Sequence, residues 1–552
     1  MKDTTKALEQ TRRAFIKRAG MVAASAMAVG ATQALAQTPA NDEATNIGEI
    51  KWDEEFDVVI AGAGVAGESC AITMATEGAG ESVLLVEKGD GPSGNSPFAL
   101  GVAIWCEEVD RFAKYFKDMQ SAFNMAPDDV IQAYAEGVAE NKDWLVSIGA
   151  NDDDSMWITE CGAPTADGVG GEYPELGGGD TIGWLGVGMG ENAPQGALHI
   201  CAWMEEQIKS TYADKIDYRT ETPVKALVQD PATKAIVGVV IEQAGVELYV
   251  KANKGVVMCV GGFESNPQMM QDYVGMGCAV PGAGRLNTGD GHLMCMKAGA
   301  DLWHMENVAG FWMVGRNNDD TMSTCKVLDK NPSPKQFGIT VGINGRRFYM
   351  DWDGYMTNPG YDLNSDLKMH VGFRHGHTQF GGEWPHLPMP EKGWFLFDAE
   401  GLAAGAMGTN VAGAAYEGDP ADNGDAYKAN SIEELAALID VPADELAATV
   451  EQWNRYCDEG KDEAFYRPAE YMTPVKTAPF YAQLVRPHFL NTDGGPRRDA
   501  KGEILDTDGE PIPGLYSAGE FGSVWGNYYQ GAGNVAECMI FGRICARSII
   551  AK

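Results

Sequence analysis

Apolar and polar positions along the chain alternate in blocks that predict its elements. Phe56-Asp57-Val58-Val59-Ile60 is a short, nearly continuous apolar run, stopped by Gly62-Ala63-Gly64-Val65-Ala66-Gly67. A run of this length ended by glycine predicts a buried strand. Residues 68–78 keep helical character, and residues 82–86 form a second apolar run that ends at Glu87. The order is strand, glycine turn, helix, strand, acid. Residues 216–263 carry strand signals with short glycine turns, and Val237-Gly238-Val239-Val240-Ile241 alternates around a hairpin. Residues 351–427 are rich in glycine, proline and aromatics and read as irregular. In 431–457 the period becomes helical: Ile432, Leu435, Leu438 and Ile439 share a face, and Val441-Pro442 breaks the run.

The first forty residues have a different pattern. Lys2, Lys6, Arg12, Arg13, Lys17 and Arg18 face only Asp3 and Glu9, and residues 19–36 form a weakly apolar run ending Ala34-Leu35-Ala36. This is the basic, apolar and small-residue succession of an export signal over 1–36, with a linker over 37–52. Arg12-Arg13-Ala14-Phe15-Ile16-Lys17 is similar to a twin-arginine signal, which predicts a protein exported folded, with its cofactor inserted beforehand. The expected location is periplasmic or cell-envelope, with no membrane insertion after cleavage.

Composition narrows the partners. The 552 residues hold 42 basic and 79 acidic side chains, a net charge of −37, so a phosphate-backbone footprint is not expected and nucleic acid is excluded as a partner. The 11 cysteines include no C-x-x-C pair, so no zinc ribbon or attached haem is predicted, and no metal ligand set is assigned.

Gly62, Gly64 and Gly67 have a mechanism in their spacing. The first makes the turn, the second lets backbone approach a pyrophosphate, and the third lets helix pack on strand. The helix N-terminus, with Ala63 and Ala66 in the turn, faces phosphate. Glu87 is placed to accept from a ribose hydroxyl. This is a dinucleotide fold, and the motif alone does not separate NAD from FAD.

The next segment separates them. Lys88-Gly89-Asp90-Gly91-Pro92-Ser93-Gly94-Asn95-Ser96, continuing to Gly101, resembles the turn that wraps the flavin in the FAD-binding subunit family of fumarate reductases, succinate dehydrogenases and 3-ketosteroid dehydrogenases. Further segments are similar to the same family: 255–263 with Gly261 and Gly262, Thr288-Gly289-Asp290-Gly291-His292, and Ser517-Ala518-Gly519-Glu520. The resemblance implies non-covalent FAD, with Glu520 on the ribityl hydroxyls and Asn534 and Val535 also at the cofactor. It implies an α/β fold: a Rossmann-like FAD-binding domain, discontinuous at 53–307 and 489–552, with an inserted α+β substrate-capping domain at 308–488.

Within that family the chain departs at the reacting positions. Asn344-Gly345-Arg346-Arg347-Phe348-Tyr349-Met350-Asp351 resembles the family's G-x-R-F-x-N-E, with Asp351 for Glu. Four residues on, where fumarate reductases carry a proton-delivering Arg and ketosteroid dehydrogenases a Tyr, stands Tyr355. Thr492-Asp493-Gly494-Gly495 resembles Thr-Met-Gly-Gly, and the dicarboxylate-binding His two residues before it is Leu490. Asn527-Tyr528-Tyr529-Gln530-Gly531-Ala532-Gly533-Asn534 lacks Asn-Arg-Leu-Gly-Gly and is similar to the steroid enzymes' Tyr-x-Gly-x-Gly.

The resemblance implies an ene-reductase mechanism on a carbonyl-bearing substrate other than fumarate. The Tyr529 hydroxyl and Gly533 N–H would donate to the carbonyl oxygen, as an oxyanion hole does, and Tyr355 would protonate the α-carbon. Tyr528, Asp351, Leu490 and Arg374 are candidate substrate contacts. Electrons would come from a separate donor, a quinol-linked cytochrome or flavoprotein, since no relay segment is present in the chain. Two alternatives stay open: a 3-ketosteroid-type dehydrogenase running in reverse, and a flavin electron carrier without substrate chemistry.

Overall fold

The computed structural model describes residues 50–552 except 100, 121–124, 152–157, 162–170, 172, 174–175, 189–198, 278, 282–283, 310–311, 316–325, 328–336, 349–392, 409–415 and 527. The predicted signal and most of the linker therefore lie outside the described residues.

Strand β1 (Glu54–Ala61) leads through the glycine turn to helix α1 (Val65–Glu77) and strand β2 (Val83–Val86). Val58, Val59 and Ile60 are fully buried, as their unbroken apolar run requires of a strand covered on both faces. A small antiparallel sheet follows, of β3 (Val102–Cys106), β4 (Ile158–Cys161) and β5 (Ile182–Val187), with helices α2 (Val109–Met119) and α3 (Asp128–Ser147) between its strands. Helix α4 (Ile200–Lys209) returns the chain to β6 (Ile216–Arg219), then to the hairpin strands β7 (Val224–Gln229) and β8 (Ile236–Gln243), and to the long β9 (Val246–Met258). Helix α5 spans Asp290–Lys297.

The second sheet is drawn from β10 (Trp312–Gly315), β11 (Lys326–Val327), β12 (Gly338–Gly342), β13 (Gly393–Asp398) and β14 (Phe480–Phe489), ordered β11-β10-β14-β13-β12. Two short strands, Val280–Pro281 and Tyr427–Ala429, also pair with β14. Helices α6 (Ile432–Ile439) and α7 (Ala443–Glu459) pack on this sheet through Leu435, Ile439, Leu446 and Trp453. The Ser431 hydroxyl caps α6 by accepting from the Glu434 N–H at 3.1 Å, and Asp440 at φ 58° ends the helix.

The chain then returns through β15 (Asn491–Thr492), β16 (Glu503–Leu505) and β17 (Pro511–Ser517) to the final helix α8 (Gly533–Ile550). Strands β1, β2, β6, β9 and β17 run parallel in the order β17-β9-β1-β2-β6, so the sheet is completed by a strand from the far end of the chain, Leu515 pairing with Val256. Helix α8 lies on α1 at backbone distance: a Cβ on Gly542 would stand 2.6 Å from the Ala66 carbonyl oxygen. Met539, Ile540 and Phe541 of α8 are fully buried, Ile540 against Gly137 of α3, each contributing about 2 kcal/mol.

One sequence expectation fails here. Residues 393–404, inside the stretch read as irregular, form β13 and a short helix, Ala399–Ala404. Trp394-Phe395-Leu396-Phe397 is all buried, and β13 sits between β12 and β14 in the sheet. The apolar run was a strand signal, outweighed by the glycines and prolines before it.

Candidate active site and cofactor cleft

The cleft begins at the glycine turn. Gly62 has φ 97°, and a Cβ on it would meet the Cys259 carbonyl oxygen at 2.2 Å. A Cβ on Gly67 would stand 1.9 Å from the Gly62 oxygen, so α1 rests directly on the turn only because that position is bare. The Ala63 N–H donates to Glu87 Oε2 at 2.9 Å, and Glu87 Oε1 accepts from the Gly89 N–H and the Ser93 hydroxyl at 2.9 and 2.6 Å. Glu87 is thus clamped at the end of β2 before any ligand arrives. The Ser96 hydroxyl accepts from the Val65 N–H at 3.1 Å, tying the wrapping turn to the first turn of α1. Lys88 is held by Asp290 and the Thr288 hydroxyl at 2.7 and 2.8 Å.

These elements surround an open cavity of about 860 Å³, its mouth included. Gly62, Gly64, Ala66, Glu87 and Lys88 line one side, and Gly94, Asn95 and Ser96 the turn. Gly261, Asp290, Gly519 and Glu520 complete the wall. Ala63, Gly67 and Gly262 shape it from behind, Gly262 by donating its N–H to Glu520 Oε1 at 3.0 Å.

Three assigned cofactor residues do not line this cavity. Gly101 does not line the cavity; its φ of 68° and the approach of the Val187 oxygen and His199 ring to within 2.6 Å of its Cβ position explain why it is glycine. Asn534 and Val535 open α8 and do not line it either. Asn287 and Cys538, which the sequence reading left out, also line it, as do Thr288 and Cys259 of the quoted segments. Asn287 stood beside the quoted Thr288-Gly289-Asp290 segment. Glu264, one residue past the quoted 255–263 segment, is buried behind the wall and bonded to Asn95 and Asn287.

The second part of the site is the loop before α8. Tyr529 is buried, its ring edge-on to Trp525 at 5.2 Å, and its hydroxyl oxygen accepts from the Asn534 N–H at 3.1 Å. Tyr528 is half-buried and stacked on Tyr173 at 5.1 Å. Gln530 accepts from the Tyr115 hydroxyl at 2.8 Å. The Gly533 N–H donates to the Gln530 carbonyl at 2.9 Å, so it is already engaged and does not serve as the free donor expected of it. The glycine is required sterically, because its Cβ would enter the Trp525 ring at 2.4 Å. Leu490 is half-buried and its N–H donates to the Ala309 oxygen at 3.0 Å. Tyr355, Asp351 and Arg374 lie outside the described residues.

Beneath that loop sits Asp493, fully buried. It accepts from the Asn307 and Asn491 amides at 2.8 and 3.0 Å. Burial first, and then the Glu537 carboxylate, push its acid well above the usual range. Glu537 is ion-paired with Arg498 and bonded to the Ser523 hydroxyl. Among the described residues no group of three His, Cys, Asp or Glu could hold a metal, and no helix is long and apolar enough to cross a membrane.

The bare turn, the clamped acid and the helix N-terminus fit a dinucleotide, and the wrapping turn with Asn95, Asn287 and Glu520 fits the polyol of FAD. A family model described as FAD binding domain matches residues 57–535. Digoxin reductase of Eggerthella lenta is 29% identical, the match covering 98% of this chain and 97% of that protein. Vinyl phenol reductase of Lactiplantibacillus plantarum is 26% identical, over 84% of this chain and 90% of that protein. Among solved structures, 3-ketosteroid Δ1-dehydrogenase from Sterolibacterium denitrificans, in complex with 1,4-androstadiene-3,17-dione, aligns with a TM-score of 0.65 at 22% identity, over 90% of this chain and 100% of that one.

Proposed function

Because the chain belongs to the FAD binding domain family and is an FAD-dependent oxidoreductase acting on C=C bonds, we propose that it is an exported reductase of an activated C=C bond in a carbonyl-bearing, ring-containing substrate. Its enzymatic kinship sets aside the reading as a bare electron carrier. The observation that carries the substrate class is the loop at 528–530. Where dicarboxylate reductases carry a cation, this chain presents Tyr528, Tyr529 and Gln530, and Leu490 stands where they carry His. A site without those cations has no clamp for a second carboxylate. Tyr528, stacked on Tyr173, offers a flat aromatic surface instead. The relatives named for digoxin and vinyl phenol reduction support ring-bearing substrates over fumarate.

Bound non-covalently, FAD supplies the hydride that is exchanged with the substrate carbon. The chain's part is to bind, polarise and protonate. The Tyr529 oxygen accepts from the Asn534 N–H, which fixes the phenol that is to donate to the substrate carbonyl. The positive end of α8 favours the negative charge developing there. With the Gly533 N–H engaged, that polarisation falls to Tyr529. Tyr355 delivers the proton to the α-carbon, a phenol being a competent acid toward an enolate. The twin-arginine-like start supports a location outside the cytoplasm, where a separate quinol-linked cytochrome or flavoprotein would serve the enzyme.

A test is anaerobic reoxidation of the chemically reduced holoenzyme by fumarate, urocanate, cinnamates and steroid enones. Ring-bearing acceptors reoxidise it and fumarate does not; fast turnover with fumarate overturns the reading. The steroid-type dehydrogenase reading uses the same tyrosines in reverse, and is favoured if reduced ring ketones reduce the oxidised flavin while the enones leave the reduced flavin untouched.

A further inference from the structure

Two carboxyl groups at the cofactor cleft are held by the same two amides. The Asn95 amide nitrogen donates to Glu264 Oε1 at 2.7 Å and lies 3.2 Å from both oxygens of Glu520. The Asn287 amide nitrogen donates to Glu264 Oε1 at 2.6 Å and to Glu520 Oε1 at 3.1 Å. Glu264 is 2% exposed and does not line the cavity, whereas Glu520 does. Two carboxyls this close in a site largely removed from water do not both ionise.

We propose that Glu520 meets the cofactor as a neutral carboxylic acid, a hydrogen-bond donor to a cofactor oxygen, and that Glu264 is the ionised positioning residue that keeps it so. The hydrogen bonds decide which of the two holds the proton. Glu264 Oε1 takes both short amide bonds, and its Oε2 faces the Thr492 hydroxyl at 3.1 Å. That hydroxyl already accepts from the Phe263 N–H at 2.9 Å, so its proton is directed at Glu264. Three donors on Glu264 favour its charged form. Glu520 receives longer bonds, concentrated on Oε1, from Gly262, Asn287 and Asn95. Its Oε2, bonded only by Asn95 at 3.2 Å, is the atom left to carry a proton.

The surrounding charges act in the same direction. Burial and then the Glu264 charge raise Glu520 well above the usual carboxylate range. From α8, Cys538 approaches Glu520, while Glu537 is committed to Arg498. Across the cleft Glu87 is clamped by backbone and Lys88 is paired with Asp290, and among the described residues no cation is ion-paired with Glu520. The inference depends on the cofactor alone and stands apart from the substrate chemistry proposed above.

The experiment is infrared difference spectroscopy of the holoenzyme at neutral pH, with the FAD dissociation constant measured by dilution. Wild type minus Glu520→Gln shows a protonated-carboxyl C=O band, and the variant, which keeps an N–H donor in place, binds FAD less than ~10-fold more weakly, the span of one net hydrogen bond. Wild type minus Glu264→Gln shows the same band, because removal of the neighbouring charge lets Glu520 ionise. No such band in the Glu520→Gln difference, or FAD affinity lowered tenfold or more, overturns the donor role. A band that survives in Glu264→Gln overturns the partner role. If Glu264→Gln retains no FAD, the Glu520→Gln pair of readings decides alone.

Discussion

The hydroxyl oxygen of Tyr529 accepts a hydrogen bond from the backbone N–H of Asn534 at 3.1 Å, which fixes a phenol against the first turn of α8. That N–H is one of the helix's otherwise unpaired donors, so the phenol is both capped and aimed. Tyr529→Phe keeps the ring edge against Trp525 but removes the donor to the substrate carbonyl. The expected result is a fall in kcat of roughly 10²–10³-fold, the size found for one oxyanion donor, with FAD still bound. Single-turnover reoxidation of the reduced variant reads this directly, and an unchanged rate removes Tyr529 from the mechanism.

Tyr355 is assigned by resemblance alone, and its test is kinetic. Tyr355→Phe leaves binding groups in place and takes away the acid, so kcat drops by roughly 10²–10⁴-fold while substrate affinity holds. The solvent deuterium isotope effect on the proton transfer separates this variant from Tyr529→Phe, in which the proton donor is intact. A Tyr355→Phe enzyme with full turnover assigns the proton to another group.

Gly67 tests the cleft itself. Its Cβ position lies 1.9 Å from the Gly62 carbonyl oxygen and 3.4 Å from the Ile60 side chain. Gly67→Ala must push α1 off β1, at a cost of about 1–3 kcal/mol or more for an overpacked contact. Because the displaced turn is the phosphate-binding wall, FAD affinity falls by roughly 10–100-fold. Flavin absorbance per protein after gel filtration measures it; full retention of flavin shows that the turn accommodates the methyl.

What could be read from sequence divides by the range over which each residue's role is set. Gly62, Gly64, Gly67 and Glu87 were legible because their work is done within one strand–turn–helix unit, where sterics fix the residue type. Glu264 and Asp493 were not. The partners of Glu264 at Asn95 and Thr492, and that of Asp493 at Asn307, come from 169, 228 and 186 positions away, so nothing local marks either acid as special. At Gly101 the structure shows a steric demand for glycine, from Val187 and His199, that comes from residues far along the chain. Gly533 was correctly singled out, but for its N–H, which the turn at 530–533 consumes; its bare Cα against Trp525 is what the fold needs.

Asp493 gives the protein a pH dependence of definite sign. Near the usual aspartate pKa, 3.8, the folded state keeps the acid protonated while the unfolded chain ionises it, because burial raises the native value well above that point. Unfolding then releases a proton, and stability falls as pH rises from about 4 until the native acid also ionises, at up to ~1.4 kcal/mol per pH unit from this one group. The neutral acid fits its surroundings. The side-chain oxygen of Asn534 is buried with no hydrogen-bond partner, and its amide stands 3.5 Å from Asp493 Oδ1, so a turned amide would present that oxygen to an Asp493 O–H. Asp493→Asn supplies an N–H donor at the same place and cannot ionise. The variant should match wild type near pH 4 and exceed it at neutral pH, with a flatter profile between. Urea midpoints of the holoenzyme at fixed free FAD measure both curves. Parallel curves would mean that Asp493 is ionised in the native protein, and would place the compensating charge within reach of its carboxylate.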